Sequence, residues 1–269
     1  MLIWVCALHC EAKPIIDFYR LKKSHDDNAF DIYIGDQMLC VISGIGKVAS
    51  ASACGWVAAR FEAGTPIAWI NLGIGGAANR ELGEACLINQ IIDADSDARY
   101  YPAPLKTTGL TQATCLTLSH SSDDYHPEFL FDQEASGFIY SALRFSTCEL
   151  TQCVKVISDN SRSKTVKNRQ EVSDLIHQQI NHLDHLATHL QTVLDELEIH
   201  SIPVSFWQDT LDSTHFSQTQ KKRLRNLLSY LISRQHSPEN LSALMSADNS
   251  AAKIIKSLEA LVHSDSSNL

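Results

Sequence analysis

Val154-Lys155-Val156-Ile157-Ser158-Asp159-Asn160 sets three apolar residues around one lysine and then changes abruptly to three polar residues. The Val/Ile part reads as a strand buried on both faces. The polar triad then stands at its tip. In open α/β sheets ligands bind outside the carboxyl ends of strands, so a carboxylate placed there is a candidate for chemistry. Asp159 equally suits the cap of a helix that follows, a role worth about 1 kcal/mol and no chemistry. Both readings stand on the residues alone.

The same grammar recurs upstream. Leu2 to Leu8 is a continuous apolar run. Residues 30–34 and 38–43 read as strands around the turn Gly35-Asp36. A small-residue helix is expected from Val48 to Phe61, ended by Gly64 and Pro66. Strands follow at Ile67–Leu72, Ala85–Ile92 and Ala113–Leu118, then a helix at Glu134–Phe145 and a last strand at Cys153–Ile157. Strands interleaved with helices predict a layered α/β fold with a mostly parallel or mixed central sheet.

From about residue 165 only helical spacing remains, as in Ile176, Ile180, Leu183, Leu190, Val193 and Leu197. Pro203 and Ser237-Pro238 punctuate further helices such as Gln220 to Arg234, and the end, HSDSSNL, is expected to fray. The expected organisation is an α/β body over residues 1–165 and an all-helical extension over 166–269, packing on or beside the body. His182, His185 and His189 share one helix side, where a solvated or packed face outweighs a metal site lacking a further ligand.

Composition narrows the class. A formal net charge of −9 argues against a nucleic-acid partner, which wants a basic patch. Eight cysteines occur without a CxxC pair, several inside apolar runs, which predicts reduced, buried thiols in the cytoplasm. MLIWVCALHC lacks the charged start of a signal peptide, and no apolar stretch reaches membrane-spanning length.

Four polar or glycine-rich stretches stand at strand ends: His9-Cys10-Glu11, SGIGK at 43–47, NLGIGGA at 71–77 and SDN at 158–160. SGIGK lacks the spacing of a nucleoside-triphosphate loop, and NLGIGG misses the GxGxxG dinucleotide fingerprint. Lys13 and Lys47 read as solvated.

Taken in order, ALHCEAKP, SGIGKV, NLGIGGA, FDQEASG and KVISDN resemble the purine nucleoside phosphorylase and methylthioadenosine/S-adenosylhomocysteine nucleosidase superfamily over residues 1–165. The resemblance implies a three-layer α/β/α phosphorylase/hydrolase-like body with a central mixed sheet. It implies N-glycosidic cleavage of a purine, adenosine-type nucleoside. Asp159 would act as the acid to the base at purine N7, and Glu11 would activate water. Glu134 would grip the ribose hydroxyls, with Gln133 beside it where the family packs a methionine. Gly73, Gly75 and Gly76 would let backbone approach the nucleoside, Ser158 adjoins the acid, and Lys155 falls where the family often carries arginine. No cofactor and no metal are implied. A homo-oligomer is implied, with a dimer favoured.

Each carboxylate has a structural rival. Glu134 opening a helix suits the helix dipole, and Glu11 suits a surface strand end. Hydrolysis is favoured over phosphorolysis because the first loop offers no arginine and Ile74 stands near a common serine position. A phosphorylase taking phosphate as co-substrate is one alternative; a catalytically impaired nucleoside-binding or scaffold protein is another. The stretch TLSHSSDDYHPEFLFDQE (117–134) is short for the usual base-covering segment, and Tyr100, Tyr101, Tyr125 and Phe129 are its candidate stacking aromatics.

Overall fold

A computed structural model describes residues 1–25, 29–61, 65–103, 105, 109–122, 124–163, 168–199, 202–248 and 250–266. In chain order come β1 (Leu2–Cys6), α1 (His9–Phe18), β2 (Lys22–Lys23), β3 (Asp31–Ile34), β4 (Met38–Ile42), α2 (Lys47–Ala58) and β5 (Ala68–Ala77). They are followed by β6 (Ala85–Asp93), β7 (Arg99–Tyr100), β8 (Thr111–Thr117), β9 (Phe129–Asp132), α3 (Ala135–Ala142) and β10 (Thr151–Asp159). Two helices, α4 (Arg169–His177) and α5 (Ile180–Ile199), come next.

Among the described residues all ten strands belong to one mixed sheet. β1 pairs in parallel with β4 and β5, and β10 pairs in parallel with β5. β5, β10, β6, β8 and β9 each pair with the next and β9 pairs back to β5, closing a ring; β4, β3 and β2 extend from β1 as an open wing.

The period-two alternation of strand side chains builds a core on each face. Leu2, Trp4 and Cys6 pack with Ala12, Ile15 and Ile16 of α1, Ile176 of α4, and Leu183 and Leu190 of α5. Ile3 and Val5 point the other way, toward Ala53, Cys54 and Val57 of α2 and Phe138 and Ile139 of α3. Each such fully buried aliphatic side chain contributes about 1.5–3 kcal/mol. The result is the expected α/β/α layering around a mixed sheet.

Four local expectations change. NLGIGGA is not a loop after a strand: it is the distal half of β5, which runs on to Ala77. HCEAKP opens α1, and FLFD forms β9. The helix expected to run from Val48 to Phe61 spans Lys47–Ala58, and Gly64, expected beyond its end, lies outside the described residues.

The chain divides into two compact units, Met1–Leu194 and Asp195–Leu269. The division falls later than residue 165, because Val172, Ile176, Leu183, Leu186, Leu190 and Leu194 are buried in the core of the α/β unit. The second unit contains α6 (Val204–Ser213), α7 (Gln218–Ser233), α8 (Pro238–Ser246) and α9 (Ala251–Ser266), gathered on Phe216, Leu224, Leu228, Leu231, Leu241 and Leu258. Ser217 and Gln220 form a capping box on α7, and Ser237 caps α8 ahead of Pro238. Residues 263–266, expected to fray, continue α9, and residues 267–269 lie outside the described set. All eight cysteines are free thiols. Among the described residues no helix is long and apolar enough to cross a membrane.

Candidate active site

Because β1, β4, β5 and β10 run parallel, the chain leaves all four at the same edge. A cavity of about 190 Å³ opens there. Its lining includes Glu11, Gln133, Glu134, Ser158 and Asp159, with Ile45, Ile74, Gly75, Gly76, Phe131 and the connection His120–Ser122 completing the walls.

Asp159 is the last residue of β10 and is buried. The pairing of β10 with β5 slips here: Ile157 lies opposite Gly75 and Asp159 opposite Gly76, so Ser158 is extra. Such a bulge re-aims side chains, and both Ser158 and Asp159 reach the cavity. Ser158 Oγ donates to Asp159 Oδ1, and the Tyr125 hydroxyl donates to Asp159 Oδ2. Gly76 makes room for this pair: a Cβ there would stand 2.5 Å from Asp159 Oδ2 and 2.6 Å from Tyr125 Cε1. Asp159 caps no helix. The next helix, α4, is capped by Asn168, whose side chain accepts from the Gln170 amide at 2.9 Å.

Glu11 sits in the first turn of α1 and is buried, not at a surface strand end. Its Oε2 accepts from the Leu8 amide at 2.8 Å and its Oε1 from the Ile74 amide at 3.1 Å. Burial, with the charge of Glu134 added, pushes its carboxyl up to about 7, against the opposing pull of Lys155 and the two amides. Gly73 lies beneath it, where a Cβ would come within 3.0 Å of Oε1 and 3.3 Å of Lys155 Nζ.

Glu134 stands at the N-cap position of α3 but makes no side-chain cap bond. The capping is done by Asp132, whose Oδ2 accepts from the amides of Glu134 at 3.1 Å and Ala135 at 2.7 Å. That frees the Glu134 carboxylate to reach the SGIGK loop, where Oε1 accepts from the Gly46 amide at 2.9 Å. Burial raises its carboxyl above the usual range, with Lys155 opposing.

Lys155 is fully buried behind the cavity, its Nζ 2.8 Å from Asp132 Oδ2 and 3.8 Å from Glu134 Oε2. The shorter contact is an ion pair, but the oxygen lies off the direction of an ammonium donor. Burial alone would depress the lysine and raise the aspartate. Their mutual attraction, helped at Asp132 by Thr117 and backbone amides, wins in both, so the pair stays charged.

The structure thus gathers Glu11, Gln133, Glu134, Ser158, Asp159, Gly75 and Gly76 on one cavity and sets Gly73 and Lys155 directly behind it. Gly75 has a second reason to be glycine: a Cβ would meet the Phe131 carbonyl at 2.8 Å. Sequence reasoning gave no role to Asp132 or to the Gly46 amide, and a different one to Tyr125. The signal for Asp132 was the acid two residues before Glu134. Tyr125 stood among the stacking candidates, but its hydroxyl instead binds Asp159. Of the others, Tyr100 packs on the core and Phe129 stacks on His126, while the exposed Tyr101 accepts from Gln90. Lys47 is not simply solvated, since it pairs with Asp93 at 2.8 Å and Asp95 at 2.5 Å; exposed Lys13 pairs with Asp17. Among the described residues no group of three or more His, Cys, Asp or Glu is placed to hold a metal.

The architecture is thus a ring-closed mixed sheet flanked by helices, with its cavity at the ends of the parallel strands. Solved structures share it. The 5′-methylthioadenosine/S-adenosylhomocysteine nucleosidase of Neisseria meningitidis, in complex with methylthio-immucillin-A, superposes with a TM-score of 0.54 at 17% identity, covering 68% of this chain and 98% of that one. The Helicobacter pylori enzyme, with butyl-thio-DADMe-immucillin-A, gives 0.55 at 10% identity, covering 70% and 97%. The Arabidopsis thaliana 5′-methylthioadenosine nucleosidase, in apo form, gives 0.52 at 16% identity, covering 72% and 95%. No family model matches the chain, and no curated protein matches its sequence. The likeness is one of fold.

Proposed function

We propose that this chain cleaves the N-glycosidic bond of a purine nucleoside, by hydrolysis. The observation that carries the proposal is the convergence of three buried carboxylates, Glu11, Glu134 and Asp159, on one cavity at the ends of the parallel strands. As the bond from C1′ to the base breaks, its electron pair leaves with the base and the ribose becomes oxocarbenium-like. Asp159 hydrogen-bonds the base at N7 and supplies the proton that neutralises it. Glu11, with a carboxyl poised near 7, accepts the proton of the water that attacks C1′. Glu134, held by the Gly46 amide, accepts hydrogen bonds from ribose hydroxyls and its charge favours the developing cation. The products are a free base and a free sugar.

Hydrolysis is preferred to phosphorolysis because no arginine or lysine is among the described residues lining the cavity. Arg80 is engaged by Glu84, Thr111 and the Gln112 carbonyl. The test is chromatographic: base released from adenosine, inosine, methylthioadenosine and adenosylhomocysteine, each with and without phosphate. Release that needs no phosphate supports hydrolysis, whereas release only with phosphate makes the chain a phosphorylase.

One observation favours a second reading, a nucleoside-binding protein without turnover. The carboxylate assigned to the base already holds the Tyr125 hydroxyl. Thermal stabilisation by nucleosides without base release would support that reading.

A further inference from the structure

The connection between β8 and β9 supplies His120, Ser121 and Ser122 to the cavity lining, and His120, Ser121, Asp124, His126, Pro127 and Glu128 along it are exposed. Tyr125 is the exception that turns inward. It is half-buried, its ring lies nearly parallel to Phe131 with centroids 6.1 Å apart, and its hydroxyl donates to Asp159 Oδ2. Phe131 itself lines the cavity. Behind the pair, Gly76 offers no side chain, and the clearance there would not admit even a methyl group. The contact is therefore accommodated by the backbone that builds the site.

We propose that Tyr125 determines which bases the site accepts: its hydroxyl holds the Asp159 carboxylate and is exchanged for the base when a nucleoside binds. The proposal rests on the purine reading of the cavity. Both oxygens of Asp159 already accept a hydrogen bond, one from Ser158 and one from Tyr125. An ionised carboxylate can only accept. A neutral purine presents a lone pair at N7 and replaces the phenol only when the Asp159 carboxyl brings the proton, as it does in the cleavage step. A base bearing an N–H at that position replaces it on the ionised carboxylate as well. The exchange then trades one donor for another, and Tyr125 competes directly with the ligand for Oδ2.

This role is distinct from that of a prop for Asp159, and the two predict opposite effects. Wild type and Tyr125→Phe are titrated calorimetrically with 9-deazaadenosine, which carries an N–H where purine has N7. Removing the competing hydroxyl, a hydrogen bond to a charged group, should tighten binding by about tenfold. Tyr125→Leu, which also lacks the hydroxyl, should shift affinity in the same direction, and in an Asp159→Asn background the tightening should shrink toward none. For a nucleoside turned over by wild type, Tyr125→Phe should lower KM. Equal or weaker binding by Tyr125→Phe, beside a wild type that binds, overturns the role of Tyr125 alone. No binding by any variant, with no base released from any nucleoside, overturns the nucleoside reading and this proposal with it.

Discussion

Lys155 Nζ lies 2.8 Å from Asp132 Oδ2, and neither side chain is exposed at all. The pair joins the strand that ends in Asp159 to the residue that caps the helix opened by Glu134. Removing one partner leaves the other charge buried without its counter-ion. Lys155→Met should therefore cost about 3–5 kcal/mol in denaturant unfolding, and Lys155→Met with Asp132→Asn should recover a large part of that loss. A single variant within about 1 kcal/mol of wild type would show the pair to be dispensable.

Glu11 gives a pH signature in two readouts. Its folded-state carboxyl is raised from the ordinary 4.5 to about 7. Well below 4.5 it is protonated both folded and unfolded. Between 4.5 and 7 the unfolded chain releases the proton first, so wild-type stability falls with rising pH, by up to about 3 kcal/mol above pH 7. Glu11→Gln removes that dependence. Its stability relative to wild type should rise by about this amount between pH 4.5 and pH 8. As the base for water, Glu11 must be ionised, so base release should climb through about pH 7, and Glu11→Gln should lose the rate while keeping ligand affinity. Parallel stability curves for the two proteins would remove the argument for a raised carboxyl.

Glu134 owes its position to the Gly46 amide, not to a helix cap. Glu134→Gln keeps the shape and one acceptor but loses the charge. It should lower kcat/KM for ribonucleosides by at least tenfold and affect 2′-deoxy substrates less. An equal loss on both sugars would detach Glu134 from the hydroxyls.

Gly137 in α3 backs directly on the start of α2: a Cβ there would fall 1.9 Å from the Lys47 carbonyl oxygen. Backbone cannot step aside as a side-chain tip can. Gly137→Ala should cost about 1–3 kcal/mol or more. By displacing the turn that carries Gly46, it should also reduce activity without touching the cavity. Full activity and stability would show that α2 and α3 separate freely.

The parts of this fold legible in the sequence were those written as periodicity. Leu2–Cys6 and Val154–Ile157 announced buried strands because apolar side chains are needed on both faces, and α2 and α3 showed as small-residue and apolar helices. Asp159 was recognisable at a strand tip, and Glu11 and Glu134 were found through the ordered motifs. What stayed hidden depends on contacts between distant residues. Asp132 looks like one acid among several until the buried Lys155 is placed against it. Tyr125 looks like a base-stacking ring until its hydroxyl is found on Asp159. The late boundary at Leu194 was unreadable for the same reason: α4 and α5 carry ordinary helical spacing, and only packing assigns them to the α/β unit.

The central claim is that Asp159 protonates a departing purine. The most direct test is base release by wild type and Asp159→Asn, with thermal melting of both proteins as a control for folding. The account predicts free base from at least one purine nucleoside without phosphate. It also predicts loss of at least about two orders of magnitude in rate for Asp159→Asn, with melting essentially unchanged. Turnover by Asp159→Asn equal to wild type would contradict it.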